Sequence, residues 1–561
     1  MHNIPPDIQR ILEVPIEYDQ DVNVERISTQ FRLPTGTQTL RPIQAKMLTK
    51  AKQAGGLVAL VACGEGKTLT TLLLPVVLGA KRPLLLLPAS MRAQHASDRI
   101  EYGQHWDTPP MDVMSYEGLS SPAQIERLQE LKPDLVIADE AHLLKNLKSA
   151  RVRRLEAYLM RSGASFCALS GTLVSRSLTE YAHLLNWALK IWSPLPRENQ
   201  YIRDFALWVE EHQASPRVIS WFKALESRFD LPETKRKEAT IHQRLRTSRG
   251  VVITASEQVG ASLYCYERKI SVPDSLKDAI THALDTGSVV SAASDILDVD
   301  TLDSLWESRE LWTPDDSVAS RACAQLVCGF LYVWDWGSRG EDKEWIFARR
   351  AWGVAVRYCL AHGWDSPALL ERAIRSGKAD VHPWIIDDFN AWEAVRHRPP
   401  PMTRAVWLDE YLIDDVVQWV EQQKEPPIIW CQLGALAKRI AQRLDCPLYG
   451  GGSEASKRLE ANKKKAHTCV ASISAHGTGK NLQAWGNQIV VHPLAHPARW
   501  EQMLARTHRK GQLRDTVSAT VYTHGLFGRA FNKAKKDADY IYETTGQNQR
   551  LRYMDRIKVK K

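Results

Sequence analysis

The string Val61-Ala62-Cys63-Gly64-Glu65-Gly66-Lys67-Thr68 gathers two glycines, a lysine and a hydroxyl within eight residues. Glycine backbone can wrap closely around a phosphate, a lysine ammonium can reach its outer oxygens, and a threonine hydroxyl can hold Mg²⁺. Gly64, Glu65, Gly66, Lys67 and Thr68 therefore make a candidate cradle for a β- and γ-phosphate. A second string, Asp139-Glu140-Ala141-His142, sets two carboxylates side by side. Their work is separable: Asp139 can hold the metal shell, while Glu140 orients and deprotonates an attacking water. Taken singly, the first string also fits a glycine-rich turn and the second an acid-tolerant helix start. Together, each at the end of an apolar run, they favour chemistry.

The runs that position them are short and strand-like. Leu57 to Leu60 leads into the glycine string, and Leu69-Thr70-Thr71-Leu72 continues it as a helix. Pro83-Leu84-Leu85-Leu86-Leu87 ends in Pro88-Ala89-Ser90, Asp112 to Tyr116 repeats that form, Leu135-Val136-Ile137-Ala138 delivers the acidic pair, and Ser165 to Leu169 ends in Ser170-Gly171-Thr172. Fully apolar strands alternating with helices predict a doubly wound parallel sheet with its ligands at the strands' carboxyl ends. Upstream, Leu40-Arg41-Pro42-Ile43-Gln44 opens a helix, and the Gln44 amide can donate and accept at once, which suits an adenine edge.

At 561 residues the chain predicts two or three domains. No run of 18 apolar residues and no basic-then-apolar leader is present, so the expectation is a cytoplasmic protein, of a bacterium or a phage-infected host, without membrane insertion. The 9 cysteines are odd in number and scattered, which fits reduced core residues. Cys323 and Cys328 lack a second pair or a nearby histidine, so no structural zinc is expected. The net charge of +9 is compatible with a polyanionic partner.

In order and wording, Leu-Arg-Pro-Ile-Gln, the glycine string, Asp139-Glu140-Ala141-His142-Leu143-Leu144-Lys145-Asn146 and Leu169-Ser170-Gly171-Thr172 resemble superfamily-two helicases, and most of all the Swi/Snf-type double-stranded-DNA translocases. The second half is similar to the same family: strand-like Pro427 to Cys431, Pro447 to Tyr449, Thr468 to Ile473 and Gln488 to Val491 precede Gln502-Met503-Leu504-Ala505-Arg506-Thr507-His508-Arg509-Lys510-Gly511-Gln512. The resemblance implies an α/β fold of two RecA-like lobes, each a doubly wound parallel sheet, with a helical insertion between them. It implies ATP and Mg²⁺ as cofactors: Gln44 and Gln502 join the ATP site, Ser170, Gly171 and Thr172 couple it to movement, and Arg506 and Arg509 serve as arginine fingers. Three residues apart, those arginines would share a helix face.

Double-stranded DNA is the implied partner, lying on Pro88, Ala89, Ser90, Tyr116, Gly477, Thr478, Gly479, Lys480 and Asn481. The expected division is a lead-in over 1–30, a first lobe with helical extension over 31–273, a tryptophan-rich insertion over 274–403, a second lobe over 404–528 and a basic tail over 529–561. The insertion holds nine of the 19 tryptophans; they fill its own small core more readily than they stack bases or grip a protein partner. The tail is read equally as a phosphate-backbone binder or a solvated helix. Three positions depart from the family pattern: Val61 in place of a small residue, Glu65 in place of an apolar one, and Lys480, which could add a phosphate contact. A helicase that unwinds branched DNA or RNA, and an ATP-gated clamp with little turnover, are the alternative functions.

Overall fold

The computed structural model describes residues 4–62, 64–119, 122–147, 149–171, 177–210, 214–231, 236–254, 259–286, 316–362, 364, 366–477 and 480–558. It divides into two compact units: Met1–Gly260 with His496–Gln512 and Ala534–Tyr553, and Ala261–Ala495 with Leu513–Lys533 and Met554–Lys561.

The first unit is organised by six strands: β1 (Leu57–Leu60), β2 (Pro83–Leu87), β3 (Asp112–Ser115), β4 (Leu135–Asp139), β5 (Ser165–Ser170) and β6 (Val251–Ile253). They form one sheet in the order β3-β2-β4-β5-β1-β6, parallel throughout. β1, β2 and β4 are buried at every position, which explains their apolar sequences, broken only by Asp139 at the end of β4. β5 lies between β1 and β4, with Leu60 opposite Ser170 and Asp139 opposite Leu169. The ends of the two chemical strands therefore flank Ser170.

The lead-in is part of this core. Ile8 and Ile11, on the helix Pro6–Glu13, are buried, and Arg10 donates to the carbonyls of Ser193 and Leu195 at 2.6 and 2.8 Å. The extension consists of the helices Asn199–Glu210, Pro216–Glu226 and Arg236–Arg246, packed through Phe205, Trp221 and Phe222.

The second unit begins with β7 (Ser262–Arg268). Its alternating burial suits a strand, and it belongs to this unit's sheet rather than serving as a link at the end of the first lobe. The insertion follows, with β8 (Phe330–Asp335) paired antiparallel to β9 (Met402–Trp407), so it closes a few residues beyond Pro399-Pro400-Pro401. Its helices Lys343–Ala361, Pro367–Arg375 and Pro383–Val395 enclose two small cores, one around Trp352, Leu370 and Phe389, the other around Trp334 and Trp345 with Trp336 and Trp392 against them. Edge-to-face ring pairs, such as Trp345 with Trp392 at 5.5 Å, join these side chains. Six described tryptophans, Trp364 among them, thus build the insertion's own core, while Trp306 and Trp312 lie outside the described residues.

β10 (Ile428–Cys431), β11 (Leu448–Tyr449), β12 (Cys469–Ser472), β13 (Asn487–Val490), β14 (Thr516–Tyr522) and β15 (Asp555–Lys558) complete a seven-stranded parallel sheet, ordered β11-β12-β10-β13-β14-β7-β15. The α/β class with two parallel sheets is as the sequence predicts. The segment 529–561 is built in, unlike a basic tail: it contains most of the helix Gly525–Thr545, the helix Arg550–Tyr553 and β15. Arg550 is buried and Arg556 pairs with Glu267, because both are needed to neutralise buried carboxylates. No helix among the described residues is long and apolar enough to cross a membrane.

In the second unit His524 is buried among Tyr411, Tyr522 and Phe527, and neither ring nitrogen has a hydrogen-bond partner among the described residues. Burial lowers its pKa from 6.5 to about 4, so the folded chain keeps it neutral where the unfolded chain takes up a proton. Stability conferred by this site should therefore fall as pH drops from 6.5 towards 4, by at most about 3 kcal/mol. Urea midpoints measured across that window should fall less steeply in His524→Phe, and an unchanged slope would contradict this assignment.

Candidate ATP site

The phosphate loop connects β1 to the helix Lys67–Leu78. Gly66 caps that helix with φ 80° and ψ 32°, a conformation that favours glycine. A Cβ there would also stand 2.3 Å from the Gln44 amide nitrogen. The loop is held by its neighbours: Val61 N–H donates to the Ser170 carbonyl at 3.1 Å, Ala62 N–H to Thr254 Oγ1 at 2.9 Å, and Arg41 Nη1 to the Gly64 carbonyl at 2.6 Å. Gln44, expected at the adenine edge, is bonded here to the loop itself. Its Oε1 accepts from Arg41 N–H at 2.8 Å, and its Nε2 donates to the Gly66 carbonyl at 2.9 Å, so it braces the loop. Lys67 Nζ curls over the loop, donating to the carbonyls of Val61 and Ala62 at 2.9 and 3.1 Å. Thr68 begins the same helix, half-buried, beside the half-buried Glu65 and Gly64.

β4 delivers Asp139 into a site where it is only 7% exposed. Its Oδ1 accepts from Glu140 N–H at 3.0 Å. Glu140 adopts φ 57° and ψ 47°, a left-handed backbone that costs a non-glycine residue about 1–2 kcal/mol. Strain of this kind collects at functional sites. Burial and the Glu140 charge push the Asp139 carboxyl up, against the opposing effect of Lys67. Burial also acts to raise Glu140, but the hydrogen bond and charge of His142, with Lys67 and Arg506, outweigh it and hold Glu140 ionised. One carboxylate is thus kept charged while its neighbour lacks sufficient positive charge, a donor set suited to a divalent cation at Asp139.

His142 joins this pair to the next strand end. Its Nδ1 lies 3.2 Å from Glu140 Oε2 and 3.2 Å from Ser170 Oγ. Ser170 is buried between the loop and the acidic pair, and the neighbouring Gly171 carbonyl accepts from Gln547 Nε2 at 3.2 Å. Thr172 lies outside the described residues.

The helix Pro497–Thr507 belongs to the first unit, whereas its place in the sequence assigns it to the second lobe. Gln502 Nε2 reaches Glu140 Oε2 at 3.5 Å, and Arg506, 8% exposed, donates Nε to the Gln502 carbonyl at 2.8 Å while its charge acts on Glu140. Arg509 does not share the helix face. The helix ends at Thr507, and His508 leaves it with φ −95° and ψ 89°, so Arg509 lies on the following turn.

The expected DNA contacts divide. Ala89 and Ser90 are exposed beside the half-buried Pro88, and Asn481 is exposed. Tyr116 is corrected: its ring is fully buried and its hydroxyl donates to the Asp139 carbonyl at 2.6 Å, because the end of β4 needs that donor. Gly477 is buried, and Thr478 and Gly479 lie outside the described residues. Lys480 turns inward to Ser456 Oγ at 2.7 Å, with Glu460 3.8 Å away, rather than out towards a phosphate. Sequence reasoning missed Arg41, Thr254, Gln547 and Arg550, whose roles depend on contacts distant in the chain.

No protein-family model and no curated protein matches the sequence. Among solved structures, the chain is similar to the Sulfolobus solfataricus SWI2/SNF2 ATPase core in complex with dsDNA, with 14% sequence identity over 87% of this chain and 88% of that chain and a TM-score of 0.29.

Proposed function

We propose that this chain is an ATPase whose turnover is stimulated by nucleic acid and drives movement along double-stranded DNA. The observation that carries the reading is the convergence of Lys67, Asp139, Glu140, Gln502 and Arg506 on one site at the ends of β1 and β4. Lys67 and the loop amides would hold the phosphates, and Thr68 and Asp139 would hold Mg²⁺. Bound there, the metal screens the phosphate charge and orients the phosphoryl group. Glu140, ionised and fixed by His142, accepts the proton of the attacking water. Arg506 offers a cation to the charge that develops in the transition state, once it leaves the Gln502 carbonyl. Gln44 keeps the loop shaped for the phosphates.

Duplex DNA is favoured by the motif order, and the exposed Ala89 and Ser90, on the turn after β2, are open to a backbone contact. Contacts of that kind go to phosphate and sugar, so sequence preference should be slight and affinity should fall steeply with salt. The test compares ATP turnover with linear duplex, single-stranded DNA and RNA, alongside displacement of a third strand from a triplex. Stimulation by duplex with ATP-dependent triplex displacement supports a translocase. Best stimulation by single strands or RNA with strand separation assigns an unwinding helicase, and nucleotide-dependent DNA binding without stimulated turnover assigns a clamp.

A further inference from the structure

The C-terminal loop and helix touch the site at two places that neither the sequence motifs nor the proposed chemistry explains. Arg550 is 1% exposed and lies against the helix that carries Gln502 and Arg506. Its backbone N–H donates to Glu501 Oε2 at 2.7 Å, and Nη1 pairs with Glu501 Oε1. On the other side, Nη2 and Nε donate to the His508 carbonyl at 2.7 and 3.1 Å, and Nε lies 3.3 Å from His508 Nδ1. A single planar guanidinium thus grips the helix one residue before Gln502 and again just past its end, two residues after Arg506.

Three residues earlier, Gln547 donates to the Gly171 carbonyl, directly after the serine that bonds His142. Gly546 makes the bend that permits this: its φ is 76°, and a Cβ would stand 2.4 Å from His242 Nε2. The helix before the bend is itself anchored, since Tyr540 OH donates to Glu210 Oε1 at 2.9 Å and the same oxygen accepts Leu178 N–H at 2.7 Å. The backbone on both sides of residues 172–176 is thereby tied to the C-terminal segment.

We infer that Arg550, seconded by Gln547, is a positioning residue: it fixes the height and rotation of the helix Pro497–Thr507 so that Gln502 and Arg506 are aimed at Glu140. This rests on the ATPase reading. Lysine could pair with Glu501 but lacks the fork that reaches His508 simultaneously. Small misplacement of a catalytic group is enough to cost about 100-fold in rate.

The experiment measures ATP turnover at saturating duplex DNA for the full chain and for Arg550→Ala, Arg550→Lys, Arg506→Ala and the Arg550→Ala/Arg506→Ala double variant, with a thermal melt of each. Arg550→Ala should lower kcat about 10- to 100-fold. It should change the KM for ATP far less, because the phosphate loop is untouched. Arg550→Ala should cost far less in the Arg506→Ala background than in the unaltered chain, since only Gln502 is then left to position. Arg550→Lys should melt as the unaltered chain does yet turn over at an intermediate rate, which keeps the test valid where the alanine variant unfolds. Unchanged kcat in a folded Arg550→Lys or Arg550→Ala, or losses that multiply in the double variant, would overturn the assignment. Absence of turnover in the unaltered chain would instead defeat the ATPase reading itself.

Discussion

Replacing Lys67 with alanine is expected to reduce kcat/KM for ATP by about 10³-fold or more. Two effects combine. The ammonium sits at the mouth of the loop, bonded to the Val61 and Ala62 carbonyls, from which it can extend to a phosphate oxygen without moving the helix that carries it. It also supplies positive charge to both Asp139 and Glu140. Without it, two buried carboxylates face each other with less compensation, and Asp139 is driven further towards its neutral, non-ligating form. Steady-state turnover and equilibrium binding of a fluorescent ATP analogue check both parts: binding and rate should fall together.

Glu140→Gln is expected to separate those two quantities. The amide retains the size of the carboxylate and its reach to His142 and Gln502, but it cannot accept the proton of the attacking water. Turnover should fall by about 10²- to 10⁴-fold while nucleotide binding stays near that of the unaltered chain. A variant that loses binding to the same degree as rate would show Glu140 to be structural, holding His142 and Ser170 rather than a base. The two substitutions therefore distinguish a phosphate-holding residue from a proton-accepting one.

Much of this site is legible in the sequence because its parts are local. An apolar strand followed by glycines, lysine and threonine, or by paired acids, encodes both the element and what its end presents, and β1, β2, β4 and β5 fall where their apolar runs predict. What escaped reading depends on long-range partners. Tyr116 looks like a surface aromatic after a strand, yet it is drawn inward by the carbonyl at the end of β4. Arg506 and Arg509 share a spacing that implies one helix face, but nothing local announces that the helix stops at Thr507. The segment holding Gln547 and Arg550 is read as a phosphate-backbone binder or a solvated helix, yet Gln547, Gln549 and Arg550 are buried because Glu501 and the Gly171 carbonyl, 49 and 376 residues away from Arg550 and Gln547, require donors. β7 lies 254 residues before β14, so its membership of the second sheet is a matter of topology rather than of pattern.

ATP hydrolysis by the purified chain with saturating linear duplex DNA, measured beside Lys67→Ala prepared identically, tests the ATPase most directly. Duplex-stimulated phosphate release that the lysine variant lacks is expected. Equal release by both proteins would place hydrolysis outside this site, and no release by the unaltered chain with any nucleic acid would contradict the ATPase.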